Sequence, residues 1–337
     1  MMKITILGAG SWGTALTVLL DDNGHDVTVW SIDENEIKML DKDREHKTKL
    51  PGVKLSEKVK FTTDEKSAVT SAEMIVMVVP SPFIRSTSKK IKPYVKDRQL
   101  IVNVSKGIEE DTLFTLTEII KDEIPNCEVA ALSGPSHAEE VGKKMPTTVV
   151  VGAKSKETAM LIQDAFMSEY FRVYTSPDLI GIELGGALKN VIALAAGIAD
   201  GLGCGDNAKA AIITRGISEI TKLGIAMGGH ASTFAGLSGI GDLIVTCASV
   251  HSRNRKAGYL IGQGYTYKQA MDDVNMVVEG VYSAKAAYKL AKKYNISMPI
   301  VEAVNEVLFN DLCAKDALKL LLTRMRTSES LDLTWDK

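Results

Sequence analysis

Cysteine is scarce in this chain. Cys127, Cys204, Cys247 and Cys313 are the only four among 337 residues, and none stands in CxxC or CxxxxH spacing. Neither a disulfide framework nor a zinc site is indicated, no metal is expected, and a reducing cytoplasm fits best. A dominant charge is also missing. The 40 Lys and Arg nearly cancel the 42 Asp and Glu, with no block of one sign, which argues against nucleic acid or a membrane surface as a partner. Long apolar runs are absent too. The longest strongly apolar stretch, Val191 to Ala199, falls far short of the roughly 20 residues that span a bilayer, so no integral membrane segment is expected. The opening MKITILGAG lacks the length and cleavage pattern of a signal peptide and reads as a buried strand. No internal repeat and no low-complexity tract occurs.

What is present is ample core material: 45% of the residues are apolar, enough at this length for about two domains. The first half alternates short apolar runs with amphipathic stretches. KITILGA is followed by a helix from Ser11 to Asn23, then by DVTVW (Asp26 to Trp30) and a charged helix from Glu34. EMIVMVV (Glu73 to Val79), QLIVNVS (Gln99 to Ser105), EVAALS (Glu128 to Ser133) and TTVVVGA (Thr147 to Ala153) are further strands, with a helix at Leu113 to Glu123. Such alternation predicts a parallel sheet covered by helices on both faces. After Pro177 the strand signals stop. Ile182 to Gly201, Lys209 to Lys222, Arg253 to Gly262, Thr266 to Asp272, Gly280 to Lys293 and Met298 to Phe309 have helical apolar spacing. The polar end, Thr327 to Lys337, is expected to fray.

Gly8 to Gly13, GAGSWG, is a GxGxxG between a strand and a helix. Gly8 permits the tight turn, Gly10 lets a pyrophosphate approach the backbone, Gly13 lets helix pack on strand, and the helix N-terminus offers unpaired N–H groups. The alternative is an ordinary glycine-rich turn. The expected fold class is therefore α/β: a Rossmann-type doubly wound parallel sheet over residues 1–185, then an all-helical domain over 186–337. Ligands in such sheets bind beyond the carboxyl ends of the strands. That rule selects Lys106 after one strand and Ser133-Gly134-Pro135-Ser136 after another. Lys106 either faces the crevice or snorkels along the surface, and the Gly-Pro turn either leaves room for a ligand or is merely structural.

In the helical half, ELGGALKNV sets Lys189 and Asn190 into a small-residue helix, with Gly185 one turn from Lys189. A buried lysine has a depressed pKa that suits proton transfer near neutrality; the alternative is a lysine that escapes to solvent. Asp242 lies in the glycine-rich GLSGIGDLIVTC. Ser252, Arg253 and Asn254 stand where a helix should begin, and together form either a monophosphate cradle or a solvated helix end. Glu279 in NMVVEGV is either a ribose or amide acceptor or a cap near Gly280.

Taken in order, GAGSWGTALT, LPGVKL, VNVSKGIE, LSGPSHAEEV, ELGGALKNVIALAAGIADGLGCGDNAKAAIITRG, FAGLSGIGDLIVTC, SRNRKAG, VVEGV and MPIVEAV resemble the bacterial-type NAD(P)-dependent glycerol-3-phosphate dehydrogenases over nearly the whole chain. The resemblance implies a reversible hydride transfer between NAD(P)H and dihydroxyacetone phosphate, giving sn-glycerol 3-phosphate for glycerophospholipid synthesis. It implies Lys189 as the proton-transfer residue. Lys106, Gly134, Ser136, Lys189, Asp242, Ser252, Arg253 and Asn254 are implied around the substrate. Ser11, Trp12, Lys106, Ala138, Arg253, Val277 and Glu279 are implied around the dinucleotide. A homodimer is compatible with it.

Two positions depart from the family pattern. Where a basic residue commonly follows the second strand, this chain has Trp30-Ser31-Ile32-Asp33. Asp33, about 20 residues beyond Gly13, suits a ribose 2′-OH and repels a 2′-phosphate, so NADH preference is expected; the alternative is that Asp33 caps the helix at Glu34. His137 replaces a frequent phenylalanine and is expected to pack. Two other readings compete: another Rossmann-plus-helical hydroxy-acid dehydrogenase, and a non-catalytic NAD(H) sensor. A nucleotide-sugar dehydrogenase would need a nucleophilic cysteine, and neither Cys204 nor Cys247 has an activating neighbour in sequence.

Overall fold

The computed structural model describes residues 1–326, 328 and 329, so the expected frayed end, apart from Ser328 and Glu329, lies outside the described residues. Ten strands are described: β1 (Lys3–Leu7), β2 (Asp26–Trp30), β3 (Glu45–His46), β4 (Leu50–Lys54), β5 (Lys60–Thr62), β6 (Met74–Met77), β7 (Leu100–Asn103), β8 (Glu128–Ser133), β9 (Thr147–Ala153) and β10 (Phe171–Ser176). Between them lie α1 (Ser11–Asp22), α2 (Glu34–Asp43), α3 (Glu65–Thr70), α4 (Ile84–Ile91), α5 (Leu116–Glu123), α6 (Ala138–Val141) and α7 (Lys156–Phe166). Nine helices follow among the described residues: α8 (Leu179–Gly201), α9 (Gly205–Ala226), α10 (Ala231–Phe234), α11 (Asp242–Ala248), α12 (Arg253–Gly262), α13 (Tyr267–Val274), α14 (Glu279–Lys293), α15 (Pro299–Phe309) and α16 (Ala314–Leu322).

Eight strands form one sheet in the order β10-β9-β8-β7-β6-β1-β2-β5, and β3 and β4 make a separate hairpin. From β5 to β8 all neighbours are parallel. Apolar side chains on both faces of these strands are buried in two clusters, one containing Ile4 and Ile6, the other Leu7, Ile75 and Met77, as a sheet flanked by helices requires. The expectation of a wholly parallel sheet needs one correction: β9 runs antiparallel to β8. Only the four-residue α6 lies between them, too little for a crossover, so the chain turns back at the edge it has just left. The full crossover through α7 then makes β10 parallel to β9. Strands β3, β4, β5 and β10 carry no continuous apolar run, and their sequences gave no strand signal except the alternating FRVYTS of β10.

The changeover from strand to helix falls at 177–178, ahead of the expected junction at 185–186, because Asp178 caps α8 by accepting from the Gly181 N–H at 2.9 Å. From there α8 runs unbroken through Lys189. By length and composition α8 could cross a bilayer, yet 89% of its most apolar window is buried inside the protein. It is the central helix of a second core that also takes in Ile108 from the first domain. The stretch Ala231–Ala248 passes the same length-and-composition test with 39% buried, but its backbone is kinked at Gly239. Both exceed the apolar length expected from sequence.

Glycine sets the distance between α8 and α12. Added Cβ atoms at Gly197 and Gly201 would overlap the Arg255 and Tyr259 carbonyls, and ones at Gly258 and Gly262 would overlap the Leu194 and Ile198 carbonyls. The backbones therefore touch, and the N-terminus of α12 is brought beside the middle of α8. Gly258→Ala should force the helices apart at a destabilisation of about 1–3 kcal/mol, read as a fall of several degrees in thermal midpoint; an unchanged midpoint would show that the pair can relax.

Candidate active site

The site lies at the switch point of the sheet, where the chain leaves β1 for β2 on one side and β6 continues the sheet on the other. Gly8 has φ +123° and a Cβ there would press on the Val78–Val79 backbone, 3.0 Å away, so only glycine turns the chain at this point. A Cβ at Gly13 would overlap the Gly8 carbonyl, whereas one at Gly10 would meet nothing within 4 Å. No side chain caps α1, and its first intrahelical bond runs from the Thr14 N–H to the Gly10 carbonyl. An open glycine at an uncapped helix N-terminus is the surface a pyrophosphate requires, and the Gly8–Gly13 turn fits a dinucleotide. Trp12 packs half-buried against the core beside it.

Three charged side chains converge from three elements beyond this turn. Lys106, in the loop after β7, donates to the Gly134 carbonyl at 3.0 Å and to Asp242 Oδ2 at 2.6 Å. Lys189, on α8, donates to Asp242 Oδ1 at 2.5 Å and to Thr246 Oγ1 at 2.6 Å. Asp242 opens α11, with Thr246 one turn along, its hydroxyl donating back to the Asp242 carbonyl at 2.6 Å. The alternative of a lysine escaping to solvent is excluded, since the Lys189 side chain is 6% exposed. Burial pushes its pKa down to about 7, with Lys106 adding to the effect and Asp242 opposing it. Burial would raise the Asp242 carboxyl, but the two ammonium groups outweigh it and hold the group below the usual carboxylate range.

The loop after β8 forms one wall. Gly134 has φ +136°, with the Val149 backbone 3.0 Å from where a Cβ would be. Ser136 donates to the Gly134 carbonyl at 2.9 Å, and Ala138 begins α6. The opposite wall is the start of α12. Ser252 is its N-cap and accepts from the Arg255 N–H at 3.2 Å, leaving the hydroxyl proton free to donate. Arg253 is exposed and, among the described residues, makes no ion pair.

Two expected ligand residues have partners within the fold. Asn254 is buried, donating to Asn190 Oδ1 at 2.9 Å and accepting from the Gly280 N–H at 2.9 Å. Glu279 accepts from the Ser81 N–H at 3.1 Å and hydroxyl at 2.5 Å, so it ties α14 to the end of β6 and neither caps a helix nor stands free. Val277 lies half-buried in the turn before α14. At the distant end of the cleft Asp33 caps α2, one oxygen accepting from the Asn35 and Glu36 N–H groups at 2.9 and 3.2 Å, while Ile32 is 71% exposed.

Sequence reasoning missed Thr246, although its place four residues after Asp242 set both on one helix face. Two buried polar atoms here, Ser133 Oγ and His137 Nε2, have no hydrogen-bond partner among the described residues. Cys247 is no nucleophile: burial pushes its thiol up to about 12.

The charge centre makes a stability prediction. In Asp242→Asn the Lys189 ammonium loses the carboxylate that favours it, so its folded pKa falls further below the unfolded lysine value. A depressed lysine makes the folded state bind fewer protons than the unfolded one, so the penalty grows as pH falls. Removing one partner of a buried pair costs about 3–5 kcal/mol; urea melts should show a loss of that order at pH 6 and a smaller one at pH 9. An equal loss at both would mean that Lys189 does not titrate in this window.

Similarity to known proteins agrees with this arrangement. Residues 3–159 match the family described as NAD-dependent glycerol-3-phosphate dehydrogenase N-terminus, and residues 178–319 match its C-terminus. A glycerol-3-phosphate dehydrogenase [NAD(P)+] of Agathobacter rectalis is 59% identical over 99% of this chain and 100% of its own length. One from Bacillus subtilis is 52% identical over 99% and 97%. The crystal structure of the glycerol-3-phosphate dehydrogenase of Coxiella burnetii superposes with a TM-score of 0.93 at 35% identity, covering 96% of this chain and 99% of that one.

Proposed function

The chain belongs to the NAD-dependent glycerol-3-phosphate dehydrogenase family, and from that premise we propose how its residues divide the work. The enzyme uses NAD or NADP and interconverts dihydroxyacetone phosphate and sn-glycerol 3-phosphate. The single observation that carries the assignment of roles is the convergence of Lys106 and Lys189 on Asp242, between the Gly8–Gly13 turn and the start of α12. The nicotinamide, when bound, supplies the hydride for the ketone carbon and takes it back from the alcohol. Ser11, Trp12, Ala138 and Val277 line its path.

Lys189 gives its proton to the C2 oxygen of the ketone as the alkoxide develops, and removes it in the reverse direction. Its pKa of about 7 serves both directions. Lys106 donates to the same oxygen, where positioned donors act on developing charge, and Asp242 holds the two ammonium groups together. Ser252 and Arg253 take the phosphate, and this remote binding energy orients C2; Asn254 acts from behind them by joining α12 to Asn190. Gly134 and Ser136 bound the glycerol moiety. The product feeds glycerophospholipid synthesis in the cytoplasm, and the enzyme acts as a homodimer.

The decisive measurement is NADH and NADPH oxidation with dihydroxyacetone phosphate as substrate. Lys189→Ala should lower kcat by roughly 10²–10⁴-fold while leaving dinucleotide binding intact; a variant keeping more than about a tenth of wild-type kcat would remove Lys189 from the role. The wild-type pH profile follows from the same group. Ketone reduction needs the ammonium, so its kcat/KM should fall as pH rises through about 7, whereas alcohol oxidation needs the free amine and should rise through the same pH.

Cofactor preference is read from the loop after β2. No Arg or Lys lies between Trp30 and Lys38, and Lys49, which approaches from the β3–β4 hairpin, is paired with buried Glu36 at 2.5 Å. The capping carboxylate of Asp33 keeps a negative charge at the loop. NADH is therefore preferred over NADPH. Comparing kcat/KM for both cofactors in the wild type and in Ile32→Arg/Asp33→Ser, which keeps a capping hydroxyl, tests this: a wild type favouring NADPH, or a ratio that the substitutions do not move, overturns it.

A further inference from the structure

His137 ends the loop that bounds the glycerol moiety, and nothing in the fold accounts for its ring nitrogens. The residue precedes α6 but its side chain does not cap it. Its Nε2 is buried without a hydrogen-bond partner among the described residues. A ring that only fills space needs no nitrogen, and a polar atom buried without a partner is costly to keep. The groups that face it come from four elements: Lys189 of α8, Lys106 of the loop after β7, Asp242 of α11 and Glu139 of α6. The His251 ring packs against it, centroids 6.0 Å apart and tilted by 57°, and His251 directly precedes Ser252 and Arg253. The imidazole is thus placed at the meeting of the lysine–aspartate centre and the start of α12.

We propose that His137 is a substrate-binding residue whose Nε2–H donates to a phosphoryl oxygen of the substrate's phosphate monoester, alongside Ser252 and Arg253. The inference rests on the reading of α12 as the phosphate end of the site. The carbonyl end already holds two ammonium donors on Asp242, whereas the phosphoryl end offers one hydroxyl, one guanidinium and the backbone amides of a helix start. A neutral N–H beside them adds a directed donor to the phosphate oxygens. Burial, and after it the Lys189 ammonium, hold His137 below the ordinary histidine value. That favours the neutral ring, whose one N–H brings the phosphate a donor without a third cation beside the two lysines.

The test pairs two substitutions. His137→Phe keeps the ring and removes the donor, while His137→Gln places an amide N–H at the reach of Nε2. A lost hydrogen bond to a charged partner predicts that His137→Phe raises KM for dihydroxyacetone phosphate by about 10-fold or more, with kcat changed far less and KM for NADH unmoved. His137→Gln should restore most of the loss. An unchanged KM in His137→Phe, the pattern of a purely structural ring, overturns the assignment, and so does a glutamine variant as impaired as the phenylalanine one. Should the phenylalanine variant fail to fold, the wild type labelled with ¹⁵N-histidine and titrated with sn-glycerol 3-phosphate decides. One imidazole of the five should shift at Nε2, and no movement in any of them overturns the proposal. A wild type with no activity on dihydroxyacetone phosphate would overturn the parent reading as well.

Discussion

Everything in the site depends on Asp242 holding two lysines at once. A single buried ammonium would lose its proton, and a single buried carboxylate would gain one. The bridge through both oxygens, 2.6 Å to Lys106 and 2.5 Å to Lys189, opposes both losses and, with Lys189 protonated, leaves the centre one positive charge in excess. That excess suits an oxygen that becomes negative as hydride arrives. The bridge also joins the domains, because Lys106 is carried by the sheet and the other two by the helical half.

Other carboxylates repeat the device of one domain holding the other. Glu183 of α8 accepts from the Thr117 N–H at 2.9 Å and its hydroxyl at 2.5 Å, at the N-terminus of α5. Glu279 of α14 does the same to Ser81 at the end of β6. Burial raises both, Glu183 to about 7, while the donors they receive pull the other way. Each carboxyl group accepts from one backbone N–H at the start of a helical segment of the sheet domain and from the hydroxyl of the same residue. These contacts, with the glycine-packed pair α8 and α12, hold Lys189 and Arg253 at a fixed distance.

Much of the site was legible in the chain. The Gly8–Gly13 turn, Lys106, Gly134, Lys189 and Asp242 all sit at places where strand ends, small-residue helices or glycine-rich segments make a polar residue conspicuous. The structural partners of Asn254 and Glu279 were not legible, because a polar residue near a helix start looks the same whether it meets a ligand or a backbone amide. Thr246 escaped notice, and His137 read only as packing, for a related reason: a helix threonine and a loop histidine are ordinary until something charged is packed against them. The antiparallel β9 escaped because apolar content does not encode strand direction, which here follows from the short connection after β8.

By itself the sequence determined the local pattern: core material for two domains, the alternation that makes a doubly wound sheet, a glycine turn between strand and helix, and a lysine set into an apolar helix. These follow from periodicity and residue type over a few turns of chain. Only the tertiary structure decided which charges meet. Lys106, Lys189 and Asp242 are far apart in the chain, and their pairing, with the lysine pKa near 7, exists because packing removes them from water together. Electrostatic energy depends on distance and on the medium between charges, and both are properties of the folded molecule.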